Sequence, residues 1–320
     1  MRASRHVAWA ILIAATAAAG LASAQDYPVR PIRIVTAAVG GGIDVTARLL
    51  AAGLTDRLNQ QVIVDNRGGT NVAMLTVAKA APDGYTLLIH NNTVWISPLV
   101  DTVPYDHQKE LLSITLTSRS PNVLVVHPSL QVGSVKELIA LAKSTPGKID
   151  YASGPVGASN HVAAELFKAM AGIDLMRIGY KGGGPALNAV LAGEVKVMFA
   201  TAGSVTSHMQ SGRLKALGVT SAEPSPLVPG MPTVAASGLP GYSSEAIYGF
   251  WAPGRTPAAV MARLNQEAVR VLNQPDVKER LFKSGVEAVG STPQQFAATI
   301  RAETGRLAKV LASAGIRSGK

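Results

Sequence analysis

Ile32-Arg33-Ile34-Val35-Thr36 is followed by Ala37-Ala38-Val39-Gly40-Gly41-Gly42-Ile43 and then by a periodic run over residues 44–58. The first segment is short, apolar and rich in β-formers. The second is a glycine run. The third sets Val45, Leu49 and Leu58 along one apolar face, which is helical spacing. Strand, glycine loop and helix in that order are the unit from which α/β folds are assembled.

The unit recurs along the chain. Residues 62–64 and 86–89 read as strands, separated by a helix ending near Ala80 and by the turn signal Pro82-Asp83-Gly84. After a strand at 123–126, Ser134 and Glu137 form a capping box for a helix through Lys143. A strand at 149–152, a polar glycine-containing loop and a helix from about Asn160 to Met170 come next. Further units follow at 175–178 with 185–191 and at 195–199 with 205–210, and a strand at 214–219 closes the set. This pattern predicts largely parallel sheets. Residues 221–241 are dense in Pro and Gly and read as a long connection. A strand at 248–251 and three helices complete the chain; two open on Pro257 and Pro275, and the third on Thr292-Pro293-Gln294-Gln295.

The N-terminus decides the compartment. Arg2 and Arg5 precede an apolar run at 7–21, and Ala22-Ser23-Ala24 matches a small-residue cleavage site. The run is short for the ~20 residues of a membrane-spanning helix. Export with cleavage before Gln25 is the expectation, and with no Cys in the chain a lipid anchor is excluded. Of 320 residues, 296 remain after removal of 24, which suggests one large α/β domain or two lobes. The absence of Cys also removes disulfides and thiolate metal sites, so stability rests on a chain that is 47% hydrophobic. The formal charge of +10 falls to about +8 without Arg2 and Arg5. Lys and Arg are scattered rather than striped, which argues against nucleic acid and for a mild preference for anionic solutes.

In open parallel sheets ligands bind where strand ends meet helix N-termini. Three loops suit that role, at residues 36–44, 153–161 and 180–185. Gly40-Gly41-Gly42 lets backbone N–H groups approach an anion at a helix start, or is simply a tight turn. Ser159 or Asn160 caps the next helix and leaves other N–H groups and a hydroxyl free, or is an ordinary cap. Enzyme constellations are thin. No Ser lies in G-x-S-x-G, there is no Cys nucleophile, and the histidines lack metal-ligand spacing. No metal or cofactor is implied.

Taken together, Tyr27-Pro28-x-Arg30-Pro31-Ile32-Arg33, Gly42-Ile43-Asp44, Val64-Asp65-Asn66-Arg67 and the segment 78–88 (AKAAPDGYTLL) form a recognisable series. It continues with Tyr151-Ala152-Ser153, His161, Tyr180-Lys181-Gly182-Gly183, Leu191-Ala192-Gly193, Pro232-Thr233-Val234 and Gly238-Leu239-Pro240-Gly241. The series resembles the Bug family, the extracytoplasmic solute receptors of tripartite tricarboxylate transporters. The resemblance implies a periplasmic-binding-protein-like α/β fold with a ligand cleft between two lobes: residues 25–125 with 222–320, and residues 126–221. It implies a monomeric periplasmic receptor that binds a small di- or tricarboxylate for integral-membrane permease subunits, or one that signals to a membrane sensor; a secreted enzyme is the remaining alternative. The ligand contacts it implies are Ala38, Val39, Gly40, Gly41, Asp44, Asn91, Gly157, Ala158, Ser159, Asn160 and Ala200, with Asp44 equally suited to stabilising the helix dipole.

Three departures bear on the ligand. Thr36-Ala37-Ala38-Val39 replaces a Pro-Phe-Pro-Pro stretch usual in the family, which widens that wall. Ala200 stands where many members have Asp, which disfavours an amino-acid ligand. Trp95 replaces a smaller residue and either offers an aromatic surface to a terephthalate-like acid or belongs to the core.

Overall fold

The computed structural model describes residues 27–37, 39, 41–69 and 71–313. The expected signal segment, residues 1–24, and the loop positions Ala38 and Gly40 lie outside the described residues. In chain order the elements are β1 (Ile32–Thr36), α1 (Gly41–Leu58), β2 (Val62–Asn66), α2 (Val72–Ala78), β3 (Thr86–Asn91), α3 (Thr93–Val100), α4 (His107–Glu110) and β4 (Leu111–Val126). Then come α5 (Val135–Ser144), β5 (Asp150–Ser153), α6 (Ser159–Ala171), β6 (Met176–Gly179), α7 (Gly183–Leu191), β7 (Val197–Thr201), α8 (Ala202–Gln210) and β8 (Lys215–Val219). The last are β9 (Glu245–Pro253), α9 (Ala258–Leu272), α10 (Pro275–Lys283), β10 (Glu287–Ala288) and α11 (Pro293–Ser313).

β1 runs parallel to β2 and β3, and β5 runs parallel to β6 and β7, as the strand–helix alternation requires. The two parallel groups are joined by antiparallel strands. β9 pairs antiparallel with β3 and β4, and β4 pairs antiparallel with β7, β8 and β10. The expectation of largely parallel sheets therefore holds within each group and fails at their junction. Periodicity reports which face of a strand is buried and carries no information on its direction.

β4 belongs to both sheets. From Leu111 to Pro121 it pairs with β9, and from Asn122 onward with β7 and β8. Pro121 stands at the change of partner, where its missing N–H removes one ladder bond. The chain returns at Glu245, the register partner of Pro121. Residues 221–244 form the long connection expected from their composition, yet they stay with the second sheet. Thr233 bridges to Val219, Tyr242 donates to the Ala163 carbonyl, and Ser244 N–H donates to Thr220 O. The pairing thus changes sheets at 121/122 and 244/245.

Each sheet has its own core. Ile32, Ile34, Leu87 and Phe250 pack against Leu50 and Leu54 of α1 and Leu264 of α9. On the other face Trp95, Trp251 and Phe296 stack, with ring centroids 5.0–6.2 Å apart. In the second sheet Leu124, Tyr151, Phe167, Phe199 and Tyr242 form the centre. Helices α6 and α11 pack across the two halves, and Val162 of α6 joins the cluster around Trp95.

Candidate functional site

The carboxyl ends of β1, β3, β5 and β7 and the helices they feed form the place to look for a ligand. α1 begins at Gly41, three residues earlier than its periodicity suggests. The reason is a close approach: a Cβ on Gly42 would stand 2.8 Å from the Tyr248 hydroxyl and 2.9 Å from Val286. Only glycine lets the first turn of α1 sit there. The first-turn N–H groups of Gly42 and Ile43 have no acceptor among the described residues, and the Tyr248 hydroxyl beside them makes no hydrogen bond there either.

Behind that turn a polar brace fixes the loop. Asn66 Nδ2 donates to Asp44 Oδ1 (2.8 Å) and to the Ala37 carbonyl (3.0 Å), and Arg48 Nε donates to Asp44 Oδ2 (3.1 Å). Asp44 is buried and engaged by these groups, so it anchors the loop to β2. Val39 is 73% exposed at the rim. Thr36, at the end of β1, is fully buried with an unpartnered Oγ1.

The loop from β5 to α6 is held from beneath. Arg177 Nε donates to Ser153 Oγ (2.9 Å) and its Nη2 to the Gly154 carbonyl (2.8 Å). Asn160 Oδ1 accepts from Gly154 N–H (3.2 Å) and His161 N–H (2.9 Å). His161 Nδ1 accepts from Gly157 N–H at 3.2 Å, which requires a neutral ring protonated on Nε2. Burial, and then the Arg177 charge, pushes the His161 pKa down to about 4. Neither Ser159 nor Asn160 is the N-cap; Ala158 is, and Asn160 turns back to satisfy its neighbours. That leaves the Ser159 and Asn160 N–H groups, the Ser159 hydroxyl and Asn160 Nδ2 without partners among the described residues. These donors, the helix N-terminus and the Arg177 cation make this helix start electropositive and suited to a carboxylate.

The two halves touch at this loop. Gly157 has φ +83°, and a Cβ built on it would stand 3.0 Å from Ser97 Oγ of α3. Ser97 Oγ is buried without a partner. The loop at residues 180–185 is a neighbour on the same side: a Cβ on Gly154 would stand 3.6 Å from the Gly182 carbonyl carbon, and one on Gly183 would stand 3.7 Å from Asn160 Nδ2. A second contact between halves joins Gly203, at the start of α8, to Gly285 after α10. At the junction itself Asn122 is fully buried, and neither its Oδ1 nor its Nδ2 has a hydrogen-bond partner. Native interiors rarely leave such groups unpaired unless a ligand, ion or water completes them.

Residues 46–316 match the tripartite tricarboxylate transporter family receptor. The chain belongs to this family. It is similar to R. palustris Rpa4515, solved with adipate, at 32% identity and TM-score 0.84, covering 92% of this chain and 100% of that one. It is similar to the periplasmic binding protein BugD at 30% identity and TM-score 0.81, covering 92% and 100%. It is also similar to MatC of Rhodopseudomonas palustris with bound malate, at 28% identity and TM-score 0.79, covering 89% and 100%.

Against that family background the expected site residues separate. Gly41, Gly157, Ala158, Ser159 and Asn160 stand at the two helix starts; Ser159 and Asn160 keep N–H groups without partners among the described residues, whereas Gly157 N–H donates to His161 Nδ1 and Ala158 N–H to the Pro155 carbonyl. Asn91 is drawn into a local network, its Oδ1 accepting from Thr93 N–H (3.2 Å) and Thr93 Oγ1. Ala200 is fully buried in the apolar cluster with Ala152, Met198 and Val123, so its side chain faces core. Trp95 is core as well: fully buried and stacked on Trp251 and Phe296, it offers no surface to an aromatic acid. Sequence reasoning missed Thr36, Ser97, Asn122 and Tyr248. A buried Asn beside Pro121 in an apolar strand was the one signal available.

Proposed function

We propose that this chain is a periplasmic receptor that captures a small aliphatic dicarboxylate between two α/β lobes and delivers it to the permease subunits of a tripartite tricarboxylate transporter. The lobes of this reading are residues up to Pro121 with 245–313, and residues 122–244. Residues 1–24 serve as the cleavable export signal. The observation that carries the reading is the set of unused donors on α6, at Ser159 and Asn160, together with the buried, partnerless Ser97 and Asn122. Each such group costs about 1–3 kcal/mol when left unpaired, and a carboxylate with its bridging waters supplies the missing partners.

Adipate in Rpa4515 and malate in MatC support the ligand class. An aliphatic diacid fits better than an aromatic one, because the one tryptophan offered for stacking is spent in the core. Among the described residues of the two helix starts a ligand ammonium meets no spare carboxylate, since Asp44 is engaged by Asn66 and Arg48.

Thermal unfolding against adipate, malate, succinate and terephthalate tests this. A ligand at 100 times its dissociation constant adds about 2.7 kcal/mol, a rise in Tm of roughly 5–10 °C at this size. Stabilisation by an aliphatic diacid is the expected result. No stabilisation by any diacid sinks the reading.

A further inference from the structure

A cavity of about 700 Å³ lies outside the cleft, between α4, the start of β4, α9 and the first half of α11. Its volume falls within the ~300–1,000 Å³ range of small-molecule sites, which are mostly apolar with a few placed polar groups. The floor has that character, with Leu111, Trp251, Met261 and Ile300 among its linings. No residue of the two helix starts described above takes part.

Two polar groups stand out against this floor. Arg301, exposed on α11, has no ion pair or hydrogen bond among the described residues. The acids nearest it in sequence and at α4 are occupied: Glu303 pairs with Arg306, Asp106 pairs with Lys109 and caps α4, and Glu110 of α4 accepts from Asp106 N–H. The second group is His107, whose Nε2 is buried with no hydrogen-bond partner. A buried ring nitrogen left bare is unfavourable until an occupant completes it.

We propose that this groove is a second ligand site, one that takes an amphipathic monocarboxylate, with its apolar chain over Trp251 and Met261 and its carboxylate at Arg301 and His107. Charge complementarity sets the headgroup, since the Arg301 cation at the mouth has no ion pair among the described residues. The apolar floor sets the tail, because a second carboxylate laid over Leu111, Trp251, Met261 and Ile300 would lose hydration that those side chains cannot replace. The site differs in kind from the cleft, whose donors are backbone amides and small polar side chains.

The probe is decanoate, with decanol as its neutral counterpart, titrated into the purified protein while tryptophan emission is followed. Trp251 lies on the floor and its ring is 6.1 Å from that of Trp95, so occupancy changes the emission. Saturable decanoate binding is expected. Arg301→Gln weakens it by about tenfold, the value of one charge-assisted hydrogen bond, and leaves decanol unchanged. Ala297→Trp, which fills the groove, abolishes both, while stabilisation by adipate persists. Non-saturable binding, an Arg301→Gln variant with unchanged decanoate affinity, or displacement of decanoate by adipate would each overturn the proposal, the last by placing decanoate in the cleft. Should adipate fail to stabilise the protein, the cleft reading fails alone, because the decanoate isotherm and its Arg301→Gln arm do not depend on it.

Discussion

Gly157 and Ser97 come from opposite halves of the molecule, and a Cβ on the glycine would stand 3.0 Å from the serine hydroxyl. The glycine also holds φ +83°, where side chains are disfavoured by about 1–2 kcal/mol. Two independent constraints therefore demand glycine at this one position. The first is local backbone geometry; the second is the close approach of the halves.

Gly157→Val separates them. The backbone strain should lower stability modestly, by about 1–2 kcal/mol. The added side chain should wedge the loop off α3 and cut diacid affinity far more, by roughly 30-fold or greater, equivalent to about 2 kcal/mol. Calorimetry on wild type and variant decides it, with Gly157→Ala as the milder step. Full affinity in the valine variant would mean that this contact is not part of the bound state.

Asn122→Leu has the opposite sign for stability. The amide is fully buried with both polar atoms unpaired, so a leucine, branched at the same carbon, removes an unfavourable burial of about 1–3 kcal/mol. The ligand-free variant should melt at a higher temperature than wild type and bind diacid more weakly. A variant that is less stable and binds equally well would show that Asn122 serves the fold alone.

Acid should unfold the protein through two histidines. Burial pushes His90 down to about 4, and burial with the Arg177 charge does the same for His161, from an ordinary 6.5. Both bases take up protons more readily when unfolded. Their stability contribution is intact above pH 6.5 and is lost as the pH falls from 6.5 through 4. Each is worth on the order of 3 kcal/mol at the low end. Urea midpoints at pH 7.5, 5.5 and 4.5 measure this, and His161→Gln should flatten part of the slope. A His161→Gln curve parallel to wild type would remove His161 from the account.

The strand–helix units were legible because β1, β2, β3, β5 and β7 carry runs such as Ile32-Arg33-Ile34-Val35 ahead of a glycine or polar loop. The first half of β4 was not. Residues 113–120 are mostly Ser and Thr, yet several are fully buried between β9 and β10, and tertiary pairing overrides their polar composition. α3 was hidden for a related reason. Pro98 sits inside it and argues against a helix, while packing of Trp95 and Ile96 against the core outweighs the lost bond. The glycine-run loop and the loop before α6 were legible as anion-suited helix starts. Asn122 and Tyr248 were not, because they enter the site through sheet register, and register depends on strands far apart in the chain.

Arg177 links the site to the titration of its histidine, so one substitution reports on both. Its guanidinium ties down Ser153 and the Gly154 carbonyl, and its charge is the second cause of the low His161 pKa. Arg177→Met removes the ties while keeping an apolar stem of similar length. The loop before α6 then loses two hydrogen bonds to a charged group, and stability falls by about 1–3 kcal/mol, discounted for the partial exposure of the arginine. Removing a nearby positive charge favours the imidazolium, so the His161 pKa rises, with burial still holding it below 6.5. Diacid affinity falls about tenfold, through the loosened loop and the lost cation together. Nuclear magnetic resonance titration of His161 and calorimetry with adipate read the two effects separately. A His161 pKa that stays put while affinity falls would show that Arg177 acts by holding the loop and not by its field; an unchanged affinity would show that the loop keeps its shape without it.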